Sequence, residues 1–365
     1  MINVLHITYD MRIGGTEMVI KNIIEGNQDE SINMSIFCIE EPLGPWGKSM
    51  KASGLSITCQ ARTPGFDLKL IMALRKHIKF HKIDIVHCHQ YTPWVYGTFA
   101  AALTKAKVVF TEHGRFYPDS SSWKRKIVNP ILLNFTSRVT AISNATKKAL
   151  VEYEFISKGK IEVVYNGISS LSPAHEIAAT KKGLGIPLES FVFGTVARLD
   201  PIKNQKMMLK AFAEVLKKRT DAFLVIVGDG EMRGELEQLS SSLNIEKSVV
   251  FTGYNSTPSG LIESFDVFLL SSLSEGTSMT LLEAMSLGKP CIVTNAGGNA
   301  EVIEHNFNGL VCPNNDQDSF TRACLNITDR DLLEMGRNSI RRFNEKFSVQ
   351  SMLAQYNRIW KSIKC

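Results

Sequence analysis

Residues 272–290 read "SLSEGTSMTLLEAMSLGKP" and follow on from the apolar run "DVFLLSS" at 266–272. That run has the composition of a buried strand. Glu275 and Gly276 then form a loop. Thr277 or Ser278 is placed to N-cap a helix through "MTLLEAMSLG", which Gly288 and Pro290 bring to an end. A helix N-terminus offers unpaired amides and the positive end of the helix dipole, where a phosphate would sit. From Ser278 to Glu283 the helix rises about 7 Å, roughly the reach from a diphosphate to a ribose. Glu283 is therefore placed to accept hydrogen bonds from ribose hydroxyls. Glu275, on the other side of the phosphates, is placed for the hydroxyls of a sugar. A nucleoside-diphosphate sugar is one ligand that presents sugar, diphosphate and ribose in that order.

Outward from this segment, short apolar runs alternate with helical patterns along the whole chain. The first half offers "NVLHIT", "NMSIFCI", "DIVHCH", "KVVFTEH", "RVTAIS" and "KIEVVYN". The second half offers "FVFGTVAR", "FLVIVGDG", "SVVFTGY", "DVFLLSS", "PCIVTN" and "GLVC". Alternating strands and helices with buried strands predict α/β architecture, with parallel sheets covered on both faces. The alternation breaks at 169–190, "SSLSPAHEIAATKKGLGIPLES", which reads as a linker. The expected division is a first domain at 1–168, the linker at 169–190 and a second domain at 191–347. The terminal helix at 348–365, with Met352, Tyr356 and Trp360 on one stripe, is expected to pack back on the first domain.

Composition narrows the function. The chain has 365 residues, long enough for two cores, and seven scattered cysteines, an odd number that argues against a disulfide framework and for a reducing cytosol. The N-terminus "MINVLHITYD" reads as a first strand rather than a signal peptide, and no apolar run approaches a membrane span. The net charge of +6 is unevenly spread. Residues 1–170 hold 21 Lys+Arg against 14 Asp+Glu; residues 171–365 hold 21 against 22. The basic half predicts an anionic partner. The chain has no basic helix interleaved with aromatics and no zinc-finger spacing, which argues against nucleic acid. An anionic membrane surface or a phosphorylated substrate fits better.

In open parallel sheets ligands bind beyond the carboxyl ends of strands. After the first strand, Gly14-Gly15 lets backbone amides approach a ligand as a helix begins. "VGDGEMRG" offers Gly228 and Gly230, but Gly234 falls four residues on rather than three, so a dinucleotide fingerprint is not met. After "VARL", Arg198 and Lys203 lie five residues apart at a strand end and a helix start, a sensible diphosphate clamp.

With these residues in place, the chain resembles glycosyltransferase family 4, retaining enzymes of the GT-B fold, in which two Rossmann-like domains face across a cleft. The second half carries "GTVARLDPIKN", "VIVGDGE", "VVFTGY", the paired-glutamate segment and "NGLVCP". The first half carries "GGTE", "DIVHCH", "TEHG", "AISNATKKAL" and "VVYNGI". The resemblance implies that the first domain binds acceptor and the second binds donor. It implies that Arg198 and Lys203 bind the diphosphate, Glu283 the ribose and Glu275 the transferred sugar. It places the amides around Ser278, Met279 and Thr280 at sugar and phosphate, Gly15 at the phosphates, Gly228 in the donor site, His113 at the sugar, and Gly253 and Tyr254 beside the base. Many relatives carry a "GLPL"-like step where this chain has "GTSM", which leaves the donor sugar open.

The implied activity moves a sugar from a UDP-sugar (UDP-GlcNAc, UDP-Glc or UDP-Gal) to a glycan or polyprenyl-diphosphate-linked acceptor in surface polysaccharide synthesis. It needs no metal or other cofactor. The expected location is cytoplasmic, peripheral on the inner face of the membrane. Two other readings stand beside it: an isomerase resembling UDP-N-acetylglucosamine 2-epimerase, and a non-catalytic nucleotide-sugar sensor. The intact glutamate pair argues against the first, and the intact cations and glutamates against the second.

Three other clusters invite chemistry. His77, His81, His87, Cys88 and His89 suggest zinc, but strand alternation sends Cys88 to the opposite face from His87 and His89. "DQD" (316–318) and "DRD" (329–331) spell an aspartate pair, yet they fall outside any strand end and read as solvated surface. "WKRK" (123–126) reads either as a helix surface with a half-buried tryptophan or as an interfacial anchor.

Overall fold

The computed structural model describes residues 1–114, 121–173, 176–327 and 330–364. Asp329 of the "DRD" run and Cys365 lie outside the described residues. The chain divides into two compact units: Met1–Ser169 joined by the segment from Val349 onward, and Ser170–Ser348.

The first unit holds a parallel sheet of β1 (Ile2–Thr8), β2 (Ile32–Cys38), β3 (Ile57–Cys59), β4 (Ile85–His89), β5 (Lys107–Glu112), β6 (Thr136–Ala141) and β7 (Ile161–Val163). Its strand order is β3-β2-β1-β4-β5-β6-β7. The second unit holds β8 (Phe191–Val196), β9 (Ala222–Val227), β10 (Val249–Gly253), β11 (Val267–Leu270), β12 (Cys291–Thr294) and β13 (Gly309–Cys312). Its order is β10-β9-β8-β11-β12-β13. Both are doubly wound Rossmann-like sheets, as the alternation of apolar runs predicts. In each, the strand order reverses beside the first strand, between β1 and β4 and between β8 and β11. In open α/β sheets ligands bind at such switch points, outside the carboxyl ends of the strands.

The strands are continuous apolar runs because both faces are covered. One face of the first sheet packs Leu5, Ile7, Val86, Cys88 and Phe110 into a core with Trp94 and Leu132. His6, His87 and His89 alternate onto the opposite face and are fully buried. The terminal helix Val349–Lys364 covers them, burying Met352, Tyr356 and Trp360. Trp360 stands edge-on to His6 at 5.9 Å and to His87 at 5.8 Å. Lys361 pairs with Asp29 at 2.6 Å, and Val349 N–H donates to Ile168 O at 2.8 Å.

Two readings need correction. β3 was absent from the expected strands; at three residues, on the sheet edge, it is too short to show a period. The stretch expected as a linker is part of the second unit and carries the helix Ile177–Gly183. Lys181 there is buried and donates to Leu188 O and Ser190 O, both at 2.9 Å. That ties the segment down where composition alone suggested freedom. All six described cysteines are free thiols.

Trp360→Ala should lower the stability of the first unit by about 3–5 kcal/mol. Trp123→Ala, at a 70% exposed position, should change it by about 0.5 kcal/mol or less. Urea midpoints check this, and equal midpoints would refute the capping role of the terminal helix.

Candidate active site

The paired-glutamate segment folds as its composition requires. β11 ends at Leu270, a loop follows, and the helix Met279–Ser286 begins. Ser278 is the N-cap: its Oγ accepts from Leu281 N–H at 3.3 Å. Leu282 N–H closes on Ser278 O, so the amides of Met279 and Thr280 stand at the open first turn. Thr280 Oγ donates to Val196 O at 2.8 Å, which ties the mouth of the helix to the end of β8. Gly288, at φ +70°, terminates the helix in the left-handed region.

Of the four expected residues, the structure pairs Lys203 with Glu275 beside this helix, ties Arg198 to the neighbouring turn and leaves Glu283 on the helix itself. Lys203 Nζ meets Glu275 Oε1 at 2.6 Å, and Ser272 Oγ donates to the same oxygen at 2.7 Å. The Glu275 side chain is 8% exposed, so this pair is shielded from solvent. Arg198 lies at the end of the same strand as the 3-10 turn Pro201–Lys203. Its Nε and an outer guanidinium nitrogen each reach Asp200 Oδ2 at 2.6 Å, while 73% of its side chain stays exposed. Glu283 is half-buried, and its Oε2 is buried without a protein partner. Burial pushes its carboxyl up to about 7.

Two residues without an assigned role build this site. Asp200 Oδ1 accepts from Lys203 N–H at 3.1 Å while Oδ2 holds Arg198. One carboxylate therefore holds the Arg198 guanidinium and caps the turn that carries Lys203. Its signal was local, an Asp directly before Pro201, the pattern of a turn cap. Gly297, at φ +54°, lies against the Glu275 backbone; a Cβ there would stand 1.6 Å from Glu275 O. No local pattern could have shown that contact.

The remaining glycines sort by the space around them. Gly228, at φ +139°, lies where a Cβ would fall 1.9 Å from Ala197 O, so it lets the loops after β8 and β9 cross. Gly253 is at φ +77°, and Tyr254 beside it is 63% exposed. In the first unit the helix Gly15–Glu25 begins at Gly15, with Gly14 as cap, and a Cβ on Gly15 would meet open space.

His113, after β5, is turned inward. Its Nε2 lies 2.8 Å from His89 Nδ1, and its Nδ1 is buried without a protein partner. His89 Nε2 in turn meets His6 Nδ1 at 2.9 Å. His87 Nε2 meets Thr111 Oγ at 2.7 Å. Burial holds His113 and His6 down at about 3 and His87 and His89 well below the usual range, so the stack is neutral.

The zinc pattern in the sequence resolves differently in space. His77 and His81 stack on each other at 4.2 Å at the end of a separate helix, and Cys88 packs into the opposite core. Among the described residues, the trio with ligand atoms within 4.8 Å of one another is His6, His87 and His89. Of these, His6 and His89 face each other in a hydrogen bond. The aspartates also have roles: Asp316 accepts from Ser319 N–H, and Asp331 caps the helix Leu332–Arg342.

Comparison with known proteins gives this geometry a context. Residues 13–170 match the family described as Glycosyltransferase Family 4, and residues 176–342 match Glycosyl transferases group 1. The chain is similar to the UDP-Gal:alpha-D-GlcNAc-diphosphoundecaprenol alpha-1,3-galactosyltransferase of Escherichia coli, 30% identical over 362 residues, covering 95% of this chain and 94% of that protein. It is 28% identical to the N-acetyl-alpha-D-glucosaminyl L-malate synthase of Bacillus anthracis, over 81% of this chain and 79% of that protein. Among solved structures, HepE of Anabaena in complex with UDP superposes with a TM-score of 0.86 at 21% identity, over 99% of this chain and 100% of that one. By these matches in both halves, the chain belongs to glycosyltransferase family 4 and is a glycosyltransferase of the GT-B fold.

Proposed function

We propose that the enzyme transfers a hexose from a UDP-sugar, with retention at the anomeric carbon, to a polyprenyl-diphosphate-linked glycan. The observation that carries this reading is the Lys203–Glu275 pair just before the helix capped by Ser278, with Arg198 tied to the same turn through Asp200 and Glu283 carried by the same helix. UDP-galactose is the first donor to test, because the relative matched end to end is a galactosyltransferase with a diphosphoundecaprenol acceptor. UDP-glucose and UDP-N-acetylglucosamine come next.

In this reading the anomeric C–O bond to the diphosphate breaks and its electron pair leaves with UDP. The acceptor hydroxyl oxygen bonds to the same face of the carbon, and its proton passes to the departing phosphate oxygen. Arg198, Lys203 and the amides of Met279 and Thr280 stabilise the charge on the diphosphate, so the reaction is metal-independent. Lys203 is already held against Glu275, so its ammonium is fixed before the donor arrives. Glu275 takes sugar hydroxyls and Glu283 the ribose. Gly15 and Gly228 let backbone approach the donor, and Gly253 and Tyr254 border the base. His113, with Nε2 held by His89, has its partnerless Nδ1 to offer the sugar. The acceptor's lipid puts the reaction at an anionic membrane surface; no helix among the described residues is long and apolar enough to cross a membrane.

Transfer from UDP-galactose to a polyprenyl-diphosphate N-acetylglucosamine should persist in EDTA, and Arg198→Ala or Lys203→Ala should abolish most of the thermal shift given by UDP. Loss of activity restored only by Mg²⁺ or Mn²⁺ would overturn the metal-independent mechanism. Isomerised donor formed without acceptor would replace transfer with the epimerase reading.

The pH dependence follows from Glu283. A carboxyl raised from 4.5 to about 7 keeps its proton in the free protein at pH 6, and ribose hydroxyls need the ionised form. UDP-sugar affinity should rise about tenfold from pH 6 to pH 8, and Glu283→Gln should flatten the profile. The folded protein binds this proton more tightly than the unfolded chain, so the group's contribution to stability falls as pH rises from 4.5 to about 7. Glu283→Gln should therefore also raise the melting temperature above pH 7. A steep profile retained in the Gln variant would remove Glu283 from the ribose.

Gly297→Ala should cost about 100-fold in kcat by displacing the Glu275 loop, with the far-UV spectrum unchanged. Wild-type turnover in that variant would show that the loop tolerates the shift and that Glu275 is not held to a fixed position.

A further inference from the structure

We propose that three neighbouring helices of the first unit form the face that docks on an anionic bilayer, with the side chains of one helix entering it. The proposal deepens the membrane part of the function above and rests on that reading only for the purpose of docking.

The helix Trp123–Asn134 carries an apolar stripe turned outward. Trp123 is 70% exposed, Ile127 58%, Ile131 49%, and Phe135, just past its end, 51%. These positions recur every four residues, so they share one side of the helix. The opposite side buries Asn129, Leu132 and Leu133 in the unit's core. Trp123, which the sequence left between half-buried and interfacial, is thus open. A water-facing stripe of this kind is unusual on a protein with no partner for it. Lys124 and Lys126 flank it and are exposed.

The neighbouring helices extend the same face. Tyr91 Oη donates to Asn129 at 2.8 Å, joining the helix Tyr91–Ala101 to the first. Arg75 donates to Phe99 O at 2.7 Å, joining the helix Leu68–Phe80 to the second. That third helix again turns apolar groups outward: Leu68 at 65%, Met72 at 68% and Phe80 at 77%. Lys69, Lys76 and Lys79 stand exposed among them. None of the three helices contains an aspartate or glutamate. Apolar rows bordered by lysines with no acidic residue match an anionic lipid surface: lysine stems lie along the apolar layer and their ammonium groups reach the headgroups.

Arg125 does not belong to this set. It is held inward by Glu154 at 2.5 Å and lies over the Tyr91 ring. A charge-removal test should therefore spare it.

The experiment is co-sedimentation of the full chain with phosphatidylglycerol vesicles and with phosphatidylcholine vesicles, followed by tryptophan emission. The wild type should pellet with the anionic vesicles at low salt, with a blue-shifted emission. Lys124→Ala/Lys126→Ala should weaken binding about tenfold, and Trp123→Ala/Ile127→Ala by at least as much. Trp123→Phe should still pellet but lose most of the blue shift. Lys210→Ala/Lys218→Ala, an equal charge loss at exposed positions of the second unit, should bind as wild type.

Equal pelleting with both vesicle types, or equal loss from the control pair, would overturn the proposal. So would a stripe variant that turns a dimer into a monomer without changing vesicle binding, since the face would then belong to a second copy of the chain. UDP-sugar binding is measured without lipid, so failure here and failure of the donor site are distinguishable.

Discussion

The ion pair between Lys203 and Glu275 is the constraint on which the second unit's site depends. Lys203 leaves a turn after β8 and Glu275 a loop after β11, strands that are neighbours only because the sheet reverses its order there. Charges so little exposed are costly unless matched, so the two loops cannot drift apart without stranding one of them. Ser272 on one side and Asp200 on the other complete the network. Asp200 also holds Arg198, so three charges that would repel or wander in isolation are fixed by one set of contacts. The result is a helix mouth whose two cations are held in place by matched carboxylates.

The first unit is organised around a different device. Its buried histidines lie where other strands carry valine or isoleucine; burial keeps them neutral, and they share hydrogen bonds with one another and with Thr111. A polar stack of this kind needs a lid that excludes water without supplying charge. Tyr356 and Trp360 provide one, stacked at 5.7 Å along the terminal helix.

Much of the second unit's site was legible in the sequence because its signals are local. An apolar run, a Gly-containing loop, Ser278 as cap and Gly288 as stop fall within about twenty residues, and each follows from backbone chemistry. The two-sheet architecture was legible for the same reason, through the alternation of buried runs. What escaped depends on pairs distant in the chain. His6 joins His87 and His89 only through strand pairing, Gly297 reaches Glu275 only through the packing of two loops, and Arg125 finds Glu154 across helices. The linker misled because its serines, glycines and prolines match a free segment in composition, while one buried lysine anchors it. Trp123 was left between a half-buried surface and an interfacial anchor because nothing local to an indole says whether it is sheltered; it is 70% exposed.

The return of Val349–Lys364 to the first unit makes that unit discontinuous along the chain. A ribosome delivers residues 1–169 early, yet the helix that covers His6 and His87 follows the whole second unit. Until then the nascent first unit exposes a polar trough in place of a closed face, while the second unit is continuous from Ser170 to Ser348. The order of maturation is thereby inverted relative to the order of synthesis. A chain cut after the second unit would keep that unit whole and leave the first without the helix that covers its histidines.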